Sequence, residues 1–306
     1  MCTLKLLRHR KAQGMKDTSS APAVSICIPT YNRKDYIKET LESIFAQSYK
    51  DYEVVLVDDG STDGTGEMLK QLGCNIRYHW QKNGGDAAAR NKLIEMASGE
   101  YITFLDSDDL LMPDAVERMT TVMQREAEPV IVYGPYLRID QRGSVIGKDK
   151  RKLYSGFVTK YLFQDVFVHS CGSMFPKNVL KEAGGCDTSL RVCSDYDLWL
   201  RLSLKYRFIA LPKPTFKRRR HSGNLTNHSK QNRIAELEVL ERFYYERGGD
   251  KVVLKHIAMR RLSKQAYRAG KCALADEPQK AKELLIKSLR LHPTLKTIFY
   301  LAWAAV

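Results

Sequence analysis

Three features that mark other protein classes are missing from the 306-residue sequence. None of its seven cysteines forms a C-x-x-C pair, no G-x-G-x-x-G follows the first apolar run, and no apolar run approaches the roughly 20 residues that span a bilayer. These absences argue against a structural zinc site or disulfide framework, a dinucleotide-binding oxidoreductase and a transmembrane helix. Scattered cysteines are typical of buried free thiols in a reducing compartment. Residues 1–20 lack an h-region of the usual length, so we expect no secretory signal and a cytoplasmic location.

The charge is unevenly distributed along the chain. The formal net charge is +15, but residues 1–150 carry 20 basic and 22 acidic side chains, whereas residues 151–306 carry 30 basic and 13 acidic ones. A basic half indicates an anionic partner, which can be nucleic acid, lipid headgroups or a phosphorylated substrate. We expect a basic arm over 1–22, a main domain over 23–229 and a basic helical extension over 230–306.

Short apolar runs alternate with amphipathic segments over the first 125 residues. The predicted strands are 24–28, 53–57, 76–80 and 101–105. The first predicted helix is 33–48, and the second is capped within 61–63 and runs to 72. The third is 87–97, and the fourth has Pro113 in its first turn. This alternation predicts a parallel sheet covered by helices. Ligands of such sheets bind outside the carboxyl ends of the strands, so we expect the acidic loops at 58–59 and 106–109 to lie side by side. From 130 onward the sequence predicts short strands at 130–133, 136–140, 145–146 and 173–175, and helices at 178–183 and 195–204.

Asp106, Ser107, Asp108 and Asp109 form the sharpest local signal in the sequence. Carboxylates two residues apart at the end of a strand point to the same side. Hard divalent cations take oxygen ligands, and one or two carboxylates with substrate phosphates commonly hold Mg²⁺. The alternative is a polar turn and helix cap before Pro113.

Six short motifs follow one another along the chain. They are IPTYN at 28–32, VDDGSTD at 57–63, ARN at 89–91, FLDSDD at 104–109, AGGCD at 183–187 and SDYDLWLRL at 194–202. In this order they resemble the family 2 glycosyltransferases over about residues 23–226. The resemblance implies the GT-A fold, a nucleotide-binding, Rossmann-like and mostly parallel sheet flanked by helices, here with a C-terminal helical extension. It also implies inverting transfer of a sugar from a nucleotide diphosphate donor to an acceptor hydroxyl.

The resemblance further implies which residues bind the donor. Residues matching Pro29, Tyr31 and Asp59 line the family's nucleoside pocket, and the one matching Asp59 contacts the base, most commonly uracil. The expected nucleotide-binding set is Pro29, Thr30, Tyr31, Asn32, Asp58, Asp59, Arg90, Asp106 and Arg220. The alternatives are a helix-capping turn at Asp58 and Asp59 and a surface position for Arg90.

A divalent metal, Mn²⁺ or Mg²⁺, is also implied by the resemblance. Asp108 is its expected ligand, with Asp106 on the ribose side and His221 completing the shell. In related transferases the stretch matching 217–224 is a loop that closes over the diphosphate, where Arg220 would bind phosphate. The alternatives are a solvated charge run and a nucleic-acid patch. We disfavour the patch and expect no nucleic-acid partner, because the stretch lacks interleaved aromatic residues and any known nucleic-acid motif.

A carboxylate facing the anomeric carbon would take the proton of the acceptor hydroxyl. The family places this base at the Asp of a Glu-Asp pair, which matches Asp195. The preceding residue here is Ser194 instead of Glu, and this departure leaves Asp197 as a reserve candidate. The alternative for Asp195 is a helix N-cap.

The basic helices beyond 230 lie outside the resemblance and end in the apolar segment 298–303. They fit a contact with a membrane surface, and a peripheral position on the cytosolic face suits a saccharide or lipid-linked saccharide acceptor. The alternative is that the apolar end packs back on the body or on another chain. The alternative to an enzyme that builds glycan or polysaccharide is a glycosyltransferase-like module that only binds or scaffolds at a membrane.

Overall fold

Two sheets and the helices around them make up the computed structural model, which describes residues 21–73, 75–224 and 229–303. The predicted arm over 1–22 thus lies almost entirely outside the described residues. The strands are β1 (Val24–Thr30), β2 (Tyr52–Asp58), β3 (Arg77–Trp80), β4 (Tyr101–Phe104), β5 (Leu110–Leu111), β6 (Val130–Tyr133), β7 (Tyr136–Ile139), β8 (Val145–Lys148), β9 (Ser173–Pro176), β10 (Arg207–Ala210) and β11 (Phe216–Arg219). The helices are α1 (Ile37–Phe45), α2 (Thr65–Leu72), α3 (Asp86–Met96), α4 (Ala115–Arg125), α5 (Thr159–Gln164), α6 (Lys177–Glu182), α7 (Ser194–Ser203), α8 (Ser229–Glu246), α9 (Lys255–Ala273), α10 (Pro278–Leu291) and α11 (Leu295–Trp303).

The large sheet has seven strands in the order β10-β6-β9-β4-β1-β2-β3. All its neighbouring strands run parallel except β9, which is antiparallel to both β4 and β6. Every residue of β1 is buried, as expected of a strand covered by helices on both faces. The mostly parallel α/β sheet predicted from the sequence is confirmed. Because β1 is parallel to β2 and β4, the loops at 58–59 and 106–109 meet at one edge.

The 183–187 turn is locked to helix α3 by one asparagine. Nδ2 of Asn91 donates to the carbonyl oxygen of Cys186 at 2.8 Å, and the amide of Cys186 donates to Oδ1 of Asn91 at 2.8 Å. Gly185 has φ +67°, and a Cβ there would lie 2.4 Å from Oδ1 of Asn91. Both the left-handed backbone and the close approach require glycine at this position.

The small sheet has the order β5-β11-β7-β8 and corrects one prediction. Residues 217–219 belong to β11, parallel to β7, and not to a loop. Arg219 is 1% exposed; its amide donates to Oδ1 of Asp109 at 2.8 Å, and its guanidinium contacts Glu39. The loop therefore begins only at Arg220.

Pro113 is also placed differently from the prediction, because it lies before the N-cap of α4, Asp114, and not within the first turn of that helix.

The C-terminal helices pack in series against the body. Leu240 and Phe243 of α8 and Leu262 of α9 are buried in one apolar cluster with Trp199 of α7. This part of the extension therefore packs against the main domain. Helix α11 instead exposes Leu295, Ile298 and Phe299, and the side chains of 302–303 lie outside the description. Among the described residues, each helix is too short or too polar to cross a bilayer.

Candidate active site

An open cavity of about 1180 Å³ lies at the edge where β1, β2 and β4 end. This volume exceeds the range of about 300–1,000 Å³ that is usual for one small ligand, so the cavity is large enough for more than one. One end is lined by Pro29, Thr30 and Tyr31 after β1 and by Asp59 after β2. The cavity continues past the 106–109 loop to Asp195 and to the facing sides of α8 and α9.

The predicted nucleoside residues differ in what they offer to a ligand. Tyr31 is 46% exposed, so one ring face is open for stacking. Oγ1 of Thr30 is buried and has no hydrogen-bond partner among the described residues. Oδ1 of Asp59 accepts from the amide of Gly84 at 2.9 Å, and its Oδ2 accepts from that of Gly85 at 2.8 Å. The Asp59 carboxylate therefore fixes the turn before α3 while still lining the cavity.

Asn32 and Asp58 support the site and do not line the cavity. Oδ1 of Asp58 accepts from the amide of Ser61 at 2.8 Å, which is the turn-capping role named as its alternative. Burial and the neighbouring Asp58 carboxylate raise the pKa of Tyr78 to about 12. The amide of Asn32 donates to Oγ of Ser61, and Oδ1 of Asn32 accepts from the amide of Thr62. These two residues join the loops after β1 and β2.

Arg90 lies buried on α3 between two carboxylates. It donates to Asp86 at 2.8 Å and to Oδ1 of Asp106 at 2.7 Å, and it stacks over the Phe104 ring at 5.2 Å. Burial opposes ionisation of Asp106, but the Arg90 guanidinium overcomes it and holds the pKa of Asp106 below its ordinary value. Nη1 of Arg90 has no hydrogen-bond partner in the described part of the chain. Arg90 is therefore part of the cavity wall and not a surface arginine.

Asp108 and His221, two of the predicted metal ligands, are in contact. Nε2 of His221 lies 2.8 Å from Oδ2 of Asp108, and the imidazole stacks on Tyr36 with ring centroids 4.6 Å apart. Nε of Arg33 lies 3.3 Å from the same Oδ2. The sequence reasoning missed Arg33, a cation beside the carboxylate. Its position next to the cavity could be inferred only from the fold.

The carboxylates of this loop suit a hard divalent cation. Ligand atoms of Asp106, Asp109 and Cys171 all lie within 4.8 Å of one another, next to Asp108. Burial, followed by the charges of Asp108 and Asp106, raises the pKa of Asp109. Burial also raises the pKa of the Cys171 thiol, which makes it a poor ligand for Mg²⁺ or Mn²⁺. This group contains Asp106 but neither Asp108 nor His221 of the predicted metal set.

The two candidate bases are in different environments. Asp195 lines the cavity at the start of α7, and its Oδ2 accepts from the hydroxyl of Ser170 at 3.3 Å. Asp197 is 1% exposed and lies outside the cavity lining. It is ion-paired with Arg201 at 2.9 Å and with Arg247. The structure therefore gives Asp197 a structural position and leaves Asp195 facing the cavity.

Arg220 is exposed and does not line the cavity, contrary to its predicted place beside the donor phosphates. Arg218 lines the cavity instead, with its guanidinium carbon 5.8 Å from the centre of the Tyr136 ring. Arg218 belongs to β11, whereas Arg220 follows the last residue of that strand. Arg151, also unpredicted, pairs with Asp149 at 3.0 Å and contacts His169.

Comparison with known proteins assigns the chain to a family. A model described as Glycosyl transferase family 2 matches residues 25–184. The chain belongs to glycosyl transferase family 2. An uncharacterized glycosyltransferase of Rickettsia typhi is 32% identical to this family 2 glycosyltransferase over 231 residues, 74% of this chain and 72% of that protein. The Escherichia coli chondroitin synthase is 33% identical over 228 residues, 71% of this chain but only 32% of the synthase.

Solved structures show the same fold at lower identity. S. aureus TarS 1–349 in complex with UDP-GlcNAc has a TM-score of 0.59 and 17% identity to this family 2 glycosyltransferase, covering 90% of this chain and 91% of that one. The mannosyltransferase PcManGT from Pyrobaculum calidifontis, in complex with GDP-Man and Mn²⁺, has a TM-score of 0.59 and 18% identity, covering 99% and 91%. The GT-A fold predicted from the sequence is confirmed.

Proposed function

We propose that this chain transfers a sugar from a nucleotide diphosphate sugar to an acceptor hydroxyl with inversion, in the synthesis of a glycan or polysaccharide. The observation that carries the proposal is the continuity of one cavity from Tyr31 and Asp59, past Asp106 and Asp108, to Asp195. A nucleoside, a diphosphate and an attacking hydroxyl would lie along this line in that order. The likeness to a chondroitin synthase supports a polysaccharide product, although the chain spans about a third of that protein.

UDP is the proposed nucleotide of the donor. Tyr31 would stack on the base, and Asp59 would accept the imino hydrogen of uracil with the lone pairs that Gln81, Gly84 and Gly85 leave free. The orphaned Nη1 of Arg90 would find a partner in the bound nucleotide. The S. aureus relative in fold binds UDP-GlcNAc, which supports this choice, whereas the Pyrobaculum one binds GDP-Man.

Asp108 and His221, with Asp106 beside them, would hold a divalent metal, Mn²⁺ or Mg²⁺. When bound there, such a metal would supply Lewis-acid neutralisation of the charge that develops on the diphosphate. Neighbouring residues hold the proposed metal ligands in place. Arg90 keeps Asp106 ionised, and the Tyr36 ring fixes the imidazole against Asp108. Arg33 and Arg218 add positive charge where the phosphates would leave.

Asp195 is the proposed general base. Its carboxylate would take the proton of the acceptor hydroxyl as the hydroxyl oxygen attacks the anomeric carbon and the bond to the diphosphate breaks. One base acting across from the leaving group gives single displacement and therefore inversion. The Ser170 hydroxyl would keep the Asp195 carboxylate turned toward the cavity.

A donor panel tests the proposed activity. Purified protein with Mn²⁺ is incubated with UDP-glucose, UDP-GlcNAc, UDP-glucuronate and GDP-mannose, and nucleoside diphosphate release is measured with and without chelator. We expect release from a UDP-sugar that stops on chelation. Binding of UDP without release from any donor would instead support the non-catalytic module. Release from GDP-mannose alone would refute the proposed role of UDP.

We also propose that α11 touches a membrane surface. Leu295, Ile298 and Phe299 are 85%, 51% and 67% exposed, and Lys296 lies among them. An apolar face with flanking cations is typical of interfacial helices. Sedimentation with vesicles of phosphatidylglycerol tests this contact, and Ile298→Ser with Phe299→Ser should reduce binding several-fold. Equal sedimentation of the variant would rule out α11 as the contact.

A further inference from the structure

The wall of the cavity farthest from the nucleoside residues is strongly basic. Arg233 of α8 and Arg261, Lys264 and Arg268 of α9 line it, and we call these four residues the basic wall. The three α9 residues are spaced three and four positions apart, which puts them on one face of the helix. This face looks into the cavity, so the cations do not form an ordinary solvated helix surface.

Contacts of α8 and α9 locate the basic wall on the side of Asp195. Nε of Arg261 donates to the carbonyl oxygen of Phe163 on α5 at 3.2 Å. Sγ of Cys193, two residues before Asp195, lies 3.9 Å from the carbonyl oxygen of Asn232 on α8. The nucleoside residues follow β1 and β2, at the opposite end of the sheet from β6 and β10. The basic wall therefore borders the space for the acceptor and not the space for the donor nucleotide.

Acidic residues balance only part of this charge. Glu236 accepts from Arg233 at 3.1 Å and from Arg261 at 2.5 Å. Within the described residues, Lys264 and Arg268 lie beyond 4.0 Å of any carboxylate, although Asp165 is near enough to attract both. The four cations and the two acids Glu236 and Asp165 leave an excess of two positive charges.

The crowding of these cations lowers the pKa values of two of them. The charge of Arg268, followed by burial, lowers the pKa of Lys264. Burial, followed by the charges of Arg233 and Arg261, lowers the pKa of Arg268. Like charges held together in a partly desolvated cavity repel one another, and a bound anion would remove that cost.

We propose that the basic wall binds a phosphate group of the acceptor. A phosphate carries one to two negative charges, which match the excess, and its oxygens suit the two-pronged donors of Arg233 and Arg268. Lys264, exposed at the rim, adds a point charge. The phosphate can belong to a phosphosaccharide or to a lipid headgroup, because both present the same oxygens. This inference rests on the proposed function, since it assigns the space beside Asp195 to the acceptor.

The probe is glycerol 1-phosphate, titrated into protein saturated with UDP and Mg²⁺ and followed by ³¹P NMR. Lys264→Gln with Arg268→Gln should weaken probe binding at least about tenfold, because charge-assisted hydrogen bonds are lost. The matched control is Lys255→Gln with Arg260→Gln, which removes the same charge from exposed positions of α9 outside the cavity. The control should bind as the unchanged protein does. Equal affinity of both variants, or binding of the probe only when UDP is left out, would overturn the proposal.

A second arm identifies the source of the phosphate. Vesicles of phosphatidylglycerol that sediment the unchanged protein but not the Lys264→Gln, Arg268→Gln variant point to a lipid headgroup. Binding of the soluble probe without this vesicle effect points to a phosphosaccharide. Release of UDP from a UDP-sugar in the absence of acceptor measures cleavage of the donor without any contribution from acceptor binding. If all variants release UDP equally and bind the probe equally, the basic wall is refuted; if none releases UDP, the proposed function is refuted.

Discussion

Replacing Asp195 by Asn tests the proposed base with little disturbance of the fold. Oδ1 of Asp195 accepts from the amide of Tyr196 at 2.8 Å, and an Asn oxygen would keep that bond. The new amide group would donate to Oγ of Ser170 and so reverse the existing bond. A positioned general base contributes about 10²–10⁴-fold in rate, or about 2.7–5.4 kcal/mol of activation free energy. We expect kcat for transfer to fall by this factor and Kd for UDP to stay within about twofold.

The assay measures transfer by nucleoside diphosphate release at saturating donor, with Kd for UDP from calorimetry and Tm from thermal unfolding. Asp197→Asn is the control, because it makes the same chemical change two residues away. It breaks the buried ion pairs with Arg201 and Arg247 and should cost about 3 kcal/mol of stability, yet its folded fraction should keep the transfer rate. If folded Asp195→Asn protein retains more than a tenth of the activity while Asp197→Asn abolishes it, the two roles are reversed.

Three further outcomes follow from the site and its supports. Asp108→Ala should abolish metal-dependent donor binding while the protein stays folded, and donor calorimetry with and without Mn²⁺ checks this. Gly185→Ala should lower the free energy of unfolding by about 2 kcal/mol, since it combines a left-handed backbone with a clash at Asn91; urea unfolding measures it, and a loss below about 0.5 kcal/mol would contradict the geometry. Hydrogen bonds from Ser189 and pairing with Arg247 lower the pKa of Asp187 to about 2. The unchanged protein should therefore be more stable than its Asp187→Asn variant, by the full amount above pH 4, and this difference should vanish as the pH falls through 2. A Tm difference that persists at pH 2 would contradict that assignment.

The central sheet could be predicted because its strands are continuous apolar runs that end in turn residues. Residues 24–28, 53–57 and 101–105 lie on β1, β2 and β4 almost to the residue. Strand β11 escaped prediction because its sequence, Phe216–Arg219, is mostly basic. What makes it a strand is its pairing with β5 and β7, and Arg219 is also held by Asp109 and Glu39, residues 110 and 180 positions away along the chain. Such distant partners leave no local periodic signal.

The candidate site was predictable where a motif sets both residue type and position. Tyr31, Asp59, Arg90 and Asp195 all line the cavity, and the roles that the resemblance gives them stay predictions. Asp58 was misjudged because adjacent acids look alike in a sequence, although one faces the cavity and the other caps a turn. Among the missed residues were Arg33, Arg218 and the basic wall. Spacing at 261, 264 and 268 indicates one helix face, but only packing against α5 and α7 shows that this face meets the cavity.

The basic wall and the nucleoside residues Tyr31 and Asp59 come from different parts of the chain. Residues 25–184 match the family model, whereas the basic wall comes from helices beyond that match. Mutations on the cavity face of α8 and α9 can therefore change which acceptor enters without altering Tyr31 or Asp59. A chimera that keeps the body of this chain and carries cavity-facing residues of a relative's helices should keep its donor and exchange its acceptor.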